Sequence, residues 1–181
     1  GYGAGAHAPG HADNVEALVS AHHLLLSHGR AYRAMKAITS EIEVGLVNNC
    51  HTPRPWDPSN PKDREAAAYI DALANTMWHQ PFIDGTYPEV LKPATAHLTD
   101  WSFVHEGDLD EMHGAVDWFG INYYASHLVR HNPRKGEAVS DVATLADGHK
   151  AGANSPWPGD EEIEFMPPVG QLTAMGWNID P

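Results

Sequence analysis

The run Val116-Asp-Trp-Phe-Gly-Ile-Asn-Tyr-Tyr-Ala125 is apolar at Val116, Trp118, Phe119 and Ile121 and is interrupted at Asp117 and Gly120. It then turns to amide and phenol at Asn122, Tyr123 and Tyr124. β-Branched and aromatic residues favour a strand, and Gly120 allows a neighbouring side chain to approach closely. An apolar run that ends in polar groups fits a buried parallel strand whose C-terminal end opens into a site. It also fits a core strand whose two tyrosines only cap a sheet edge. The rest of the chain has to decide between these readings.

A second run of the same kind lies upstream. Ile42 to Val47 reads as a strand that ends in Asn48, Asn49 and Cys50. The proline-rich stretch that follows, His51 to Asn60, is predicted to be an ordered loop. Asn60 and Pro61 then open a helix, as cap and first helical residue, with a core face of Ala66, Ile70, Leu73 and Met77. Ahead of the first strand, Asp13 and Glu16 form a capping-box-like start. Val15, Leu18, Val19, His22, Leu25 and Leu26 fall on one face of that helix, which is read to about Ala37 with loosening at Gly29. Trp78 to Pro88 reads as a turn-rich exit, and Tyr87 to Leu91 and Glu106 to His113 as short helices. Beyond Arg130 the periodicity fades, leaving a short strand at Glu161 to Phe165 and an apolar stretch at Leu172 to Ile179. Helix, strand, helix, strand predicts an α/β fold with parallel strands. Two strands are too few for a stable sheet. With the glycine-rich, aperiodic opening, this makes the expectation one partial domain over residues 1–181, a section of a larger fold.

Composition narrows the partners. The 181 residues carry 24 acidic and 11 basic side chains, a formal net charge of -13. Such a chain repels phosphate backbones and anionic lipid, so neither nucleic acid nor membrane is expected as a partner. No apolar run approaches the length of a membrane span. A single cysteine, Cys50, excludes an internal disulfide framework and fits a reducing compartment, so a cytoplasmic location is the expectation. Six tryptophans and six tyrosines are a generous aromatic supply; most are expected in the core, but sugar clefts also use such rings as flat apolar platforms.

Three places gather polar groups where an α/β fold puts a site: Asn48 with Asn49, Asn122 to Tyr124, and the loop around His7. Amides and phenols suit a neutral polyhydroxyl ligand, since each positions and discriminates hydroxyls. Asparagines also satisfy loop backbone, and for Asn48 and Asn49 that reading stands equally. The 13 histidines do not make a metal site. Pro9 and Gly10 separate His7 from His11, His22 and His23 point apart on a helix, and no cysteine pair or His-Glu-x-x-His run is present. No metal and no cofactor is expected. Glu41 and Glu43 would share one face of a strand, but at its N-terminal end, where solvated or paired carboxylates are expected.

The chain resembles glycoside hydrolase family 1, the β-glucosidase type. The resemblance runs over nearly its whole length, through GYGAGAHAPG, AHHLLLSHGRA, VGLVNN, DALANTMW to PFIDGTYP, DWFGINYY and TAMGWNIDP, in the family's order. It implies a (β/α)8 TIM barrel of which this is a part, from the loop after strand four to just before strand seven. It also implies that the family's general acid, in an Asn-Glu-Pro motif, and its nucleophile, in a Thr-Glu-Asn-Gly motif, lie outside residues 1–181. In retaining enzymes those two carboxyl groups face each other about 5–5.5 Å apart. By the same resemblance Tyr124 belongs to the catalytic set as the tyrosine that hydrogen-bonds and orients the nucleophile. His7, Asn49 and Asn122 then line the substrate pocket. Two departures stand out: Asn48 where the family has an apolar residue, and Thr76-Met77 in place of an arginine-containing Asn-Arg-Trp.

The expected function is that of a retaining β-glycosidase acting on terminal β-glucosides or β-galactosides in the parent enzyme. This stretch by itself is expected to be inactive, and with strand edges and helix faces bare it is expected to aggregate or stay molten without complementary segments. The alternatives are a non-catalytic sugar-binding or interaction domain that kept part of the pocket, and an unrelated α/β domain. The expected partner is a small-molecule β-glycoside or oligosaccharide.

Overall fold

The computed structural model describes Tyr2, residues 8–133 and residues 157–180. Its elements are α1 (Asn14–Ile38), β1 (Gly45–Pro55), α2 (Pro61–Asp71), a π-helical turn (Ala72–Thr76), α3 (Met77–Ile83), α4 (Leu91–Ala94), α5 (Asp108–Met112), β2 (Trp118–His131) and β3 (Ile163–Phe165). The sheet order is β1-β2-β3. Asp117 N–H donates to Val44 O ahead of the pair, and Trp56 N–H donates to Val129 O at its end. Both pairs are 73 positions apart, so β1 and β2 run parallel, as expected. The short strand anticipated near Glu161 is β3, which pairs antiparallel to β2, with Arg130 opposite Glu164.

β1 differs from expectation at both ends. It starts at Gly45, leaving Glu41 and Glu43 outside it, and runs through the proline-rich stretch to Pro55. The prolines are tolerated for a directional reason. Trp56 N–H points at β2, and the two-residue period turns the nitrogens of Pro53 and Pro55 to the opposite edge. No ladder bond to β2 is lost there. Asn48 and Asn49 therefore sit inside a strand rather than at its end. The same holds for Asn122 to Tyr124, since β2 continues to His131.

The chain divides into two compact units. One comprises residues 15–50 and 72–122. Here α1 buries Leu18, Ala21, His22, Leu25, Leu26 and Gly29. It runs unbroken through Gly29, whose role is close approach: a Cβ there would lie 2.4 Å from Glu111 O. Gly120 does what the sequence implied, because a Cβ would come within 2.9 Å of Val47 Cγ2. Trp78 belongs to α3, not to a turn, and donates its indole N–H to Leu73 O. The short helices occupy Leu91–Ala94 and Asp108–Met112, the first set one turn later than anticipated.

The other unit comprises residues 1–14, 51–71 and 123–181. The helix cap at Asn60 forms as read, with Lys62 N–H donating to Asn60 Oδ1 at 3.0 Å. Asp63, nearly fully buried, accepts from Asp57 N–H, Asn60 Nδ2 and His131 N–H, all at 3.0 Å. The start of α2 is thereby tied to the end of β2. The stripe read from sequence is buried at all four positions, Ala66, Ile70, Leu73 and Met77.

A buried polar relay stands in the first unit. His22 Nδ1 lies 2.8 Å from Tyr87 Oη, and Nε2 lies 3.1 Å from Asp108 Oδ2. A carboxylate only accepts, so Nε2 carries the proton and Nδ1 accepts from the phenol. Burial lowers the imidazole pKa below its ordinary 6.5, and the hydrogen bond and charge of Asp108 oppose that shift, while His23 and His105 add to it. A folded pKa below the unfolded one means that the unfolded chain binds the extra proton. The contribution of His22 is then present above about pH 6.5 and is lost as pH falls through the lowered folded value. In the protein carrying this chain, the unfolding midpoint is expected to fall more steeply from pH 7.5 to 5 than in His22→Gln. Parallel curves for the two would remove His22 from this role.

Candidate functional site

The residues singled out from sequence have distinct fates. His7 lies outside the described residues. The pleat of β1 separates the two asparagines. Asn48 turns inward, where its Nδ2 donates to Ala74 O at 3.0 Å and lies 3.5 Å from Cys50 Sγ. Asn49 is exposed. Asn48 is thus a packing residue, and Asn49 is the one that presents an amide. On β2, Asn122 and Tyr124 are two residues apart and project from one face. Residues 121–124 are all exposed, with Tyr124 at 55% and Ile121 at 67%. A strand exposed at four successive positions is only partly covered there by described residues, although parallel strands are ordinarily covered on both faces.

Tyr124 is engaged at its ring. It meets the indole of Trp177 edge-on, with centroids 5.5 Å apart at 61°. Two residues further along β2, Ser126 is buried and forms a hub. Arg54 Nη2 donates to its Oγ at 3.2 Å, and Asn178 Nδ2 donates to the same oxygen. Asp180 is ion-paired with Arg54. The Ser126 hydroxyl holds the Asp180 carboxyl below its ordinary value against desolvation, and the charge and hydrogen bond of Arg54 add smaller effects in the same direction. The Tyr123 hydroxyl lies 3.5 Å from Asp180 O.

Sequence reasoning missed Arg54, Ser126, Asn178 and Asp180. Arg54 lay inside the stretch dismissed as loop. Ser126 follows Tyr124 by one pleat, and that spacing was the available signal. The other two stand in TAMGWNIDP, read only as a motif. Among the described residues no group of three or more His, Cys, Asp or Glu side chains is arranged to hold a metal ion. No described helix is long and apolar enough to cross a membrane.

The family model described as Glycosyl hydrolase family 1 matches residues 1–181. The chain is 33% identical over 181 residues to the bifunctional beta-D-glucosidase/beta-D-fucosidase of Bifidobacterium breve, covering 99% of this chain and 35% of that protein. It is 29% identical to a 6-phospho-beta-galactosidase of Staphylococcus epidermidis, over 96% of this chain and 37% of that one. Among solved structures it resembles a psychrophilic beta-glucosidase from Micrococcus antarcticus, with TM-score 0.83 and 33% identity over 99% of this chain and 37% of that chain. It also resembles a Thermotoga maritima family 1 glycoside hydrolase complexed with a cyclophellitol analogue transition state mimic, with TM-score 0.77 and 25% identity over 99% and 35%. The chain spans little more than a third of the length of these relatives. Its partial α/β fold is matched to TIM-barrel enzymes.

Ser126→Ala removes the hub's buried acceptor from the half-exposed Arg54 and the partly buried Asn178. The expected loss is about 0.5–1.5 kcal/mol of stability, the net worth of an ordinary hydrogen bond, read as a lower urea midpoint at unchanged slope. A change under about 0.5 kcal/mol, the range of an ordinary surface substitution, would mean that the hub carries no weight.

Proposed function

The chain belongs to glycosyl hydrolase family 1, and from that premise we propose that the protein carrying it is a retaining β-glycosidase acting on terminal β-glucosides or β-galactosides. Residues 1–181 form the part of the (β/α)8 barrel from the loop after strand four to just before strand seven. The observation that supports this best is the full-length family match together with DWFGINYY on β2, which presents Tyr124 and Asn122 on one exposed face. In this reading Tyr124 donates its phenol hydrogen to the nucleophilic carboxylate. A carboxylate that accepts such a bond is favoured in its charged form, the form that attacks the anomeric carbon. Asn122, Asn49 and His7 line the sugar pocket, where amide and imidazole groups bind hydroxyls.

The reaction also needs a general acid and a nucleophile, about 5–5.5 Å apart across the scissile bond. Residues 1–181 contain neither Asn-Glu-Pro nor Thr-Glu-Asn-Gly, so both carboxyl groups come from elsewhere in the parent chain. That same fact favours a second reading for the stretch as it stands: a module that binds sugar weakly without turnover. Two measurements test this assignment. Purified residues 1–181 are expected to leave an aryl β-glucoside at the rate of the buffer blank, and hydrolysis above it would overturn the assignment of roles. In the full-length protein, Tyr124→Phe is expected to lower kcat by about tenfold or more, as loss of a preorganised donor does. An unchanged kcat would remove Tyr124 from the catalytic set.

A further inference from the structure

We propose that Trp177 is the positioning residue for Tyr124, and that the turn carrying it is held on β2 for this purpose by Asp180, Asn178 and Arg54; this rests on the role of Tyr124 proposed above. A phenol that donates along one line to a carboxylate needs its ring held against rotation about its side-chain bonds. The ring contact found for Tyr124 is the indole of Trp177. Edge-to-face geometry fixes a ring's tilt as well as its location, which is what aiming a phenol requires.

Trp177 is itself fixed. Its N–H donates to Thr173 Oγ1 at 3.2 Å, and its carbonyl accepts from Thr173 N–H at 2.7 Å. Gly176, at φ 80°, makes the left-handed step that closes this turn, and donates to Thr173 O at 3.0 Å. Leu172 and Asn178 bridge antiparallel, and Ile179 N–H donates to Gln171 O. The result is a small closed hairpin. Residues 171–176 are all exposed, so the hairpin has little core of its own. Its purchase on the unit comes from residues 177 to 180, through Trp177 on Tyr124 and through Asn178 and Asp180 on Ser126 and Arg54. Tyr124 and Ser126 are neighbours on one face of β2. The anchor and the ring contact therefore lie one pleat apart, and loosening one moves the other.

The test uses the full-length protein and an aryl β-glucoside. Trp177→Leu is expected to lower kcat about tenfold with KM nearly unchanged, since misplacing a catalytic group acts on the chemical step. The acidic limb of its pH–rate profile is expected to move up by about half a unit, because the nucleophile loses a well-aimed donor. Trp177→Phe keeps an aromatic edge and is expected to restore most of both. Asp180→Asn weakens the anchor and is expected to move the acidic limb in the same direction by less. If Trp177→Leu does not fold, Asp180→Asn decides alone: a shifted limb supports the proposal, an unshifted one overturns it. Wild-type kcat and limb in Trp177→Leu, or equal losses in the leucine and phenylalanine variants, also overturn it. Absence of hydrolysis by the wild-type full-length protein would instead sink the family-based reading on which this rests.

Discussion

The carboxylate of Asp117 sets the register on which the sheet depends. It accepts the N–H of Val44 at 2.8 Å, the Tyr32 hydroxyl at 2.9 Å and the Lys36 ammonium at 2.8 Å. One acid thus joins the end of α1, the entry to β1 and the entry to β2. Its pKa is held low first by the Lys36 hydrogen bond and then by the Val44 amide, so it stays charged wherever the fold is in use. In sequence it looked like a flaw in an apolar run. A parallel pair has no hairpin to set its register, and a slip of one residue would exchange its two faces. A fixed charge at the entry supplies what a turn cannot, and Asn48 inward with Asn49 outward follows from the register it sets.

What the sequence disclosed and what it withheld divide along physical lines. Stripes with a helical period were legible, because burial of Leu18, His22, Leu25, Ala66, Ile70, Leu73 and Met77 follows from spacing alone. Gly120 was legible for the same reason, as a missing side chain within an apolar strand. Gly29 was not: the sequence shows a weak helix former, whereas the need it meets is a carbonyl of α5 distant in the chain. The strand ends were misread because polarity was taken for an end. Asparagines and tyrosines inside β1 and β2 are as polar as loop residues, and only the partner strand distinguishes them. Proline misled similarly, since its cost depends on which edge its nitrogen faces.

The candidate site shows the same division. Tyr124, Asn122 and Asn49 were named from a family resemblance and lie on strands, where side-chain direction is fixed by the pleat. Arg54, Ser126, Asn178 and Asp180 were invisible because their meaning is mutual. Each is unremarkable in its own stretch and becomes part of one polar cluster only when residues separated by 52 to 126 positions meet.

The outward nitrogens of Pro53 and Pro55 have a bearing on how this sheet meets other chains. A strand pairing with the edge of β1 that faces away from β2 needs alternating donors and acceptors. Over the last third of β1 it finds carbonyls on that side without the amide hydrogens that would complete the ladder. Cross-β stacking from this end is therefore starved of half its bonds, a known way for edges to avoid templating aggregates. The prolines that obscured the strand in the sequence mark where, on the side away from β2, the ladder must stop, whichever strand lies there.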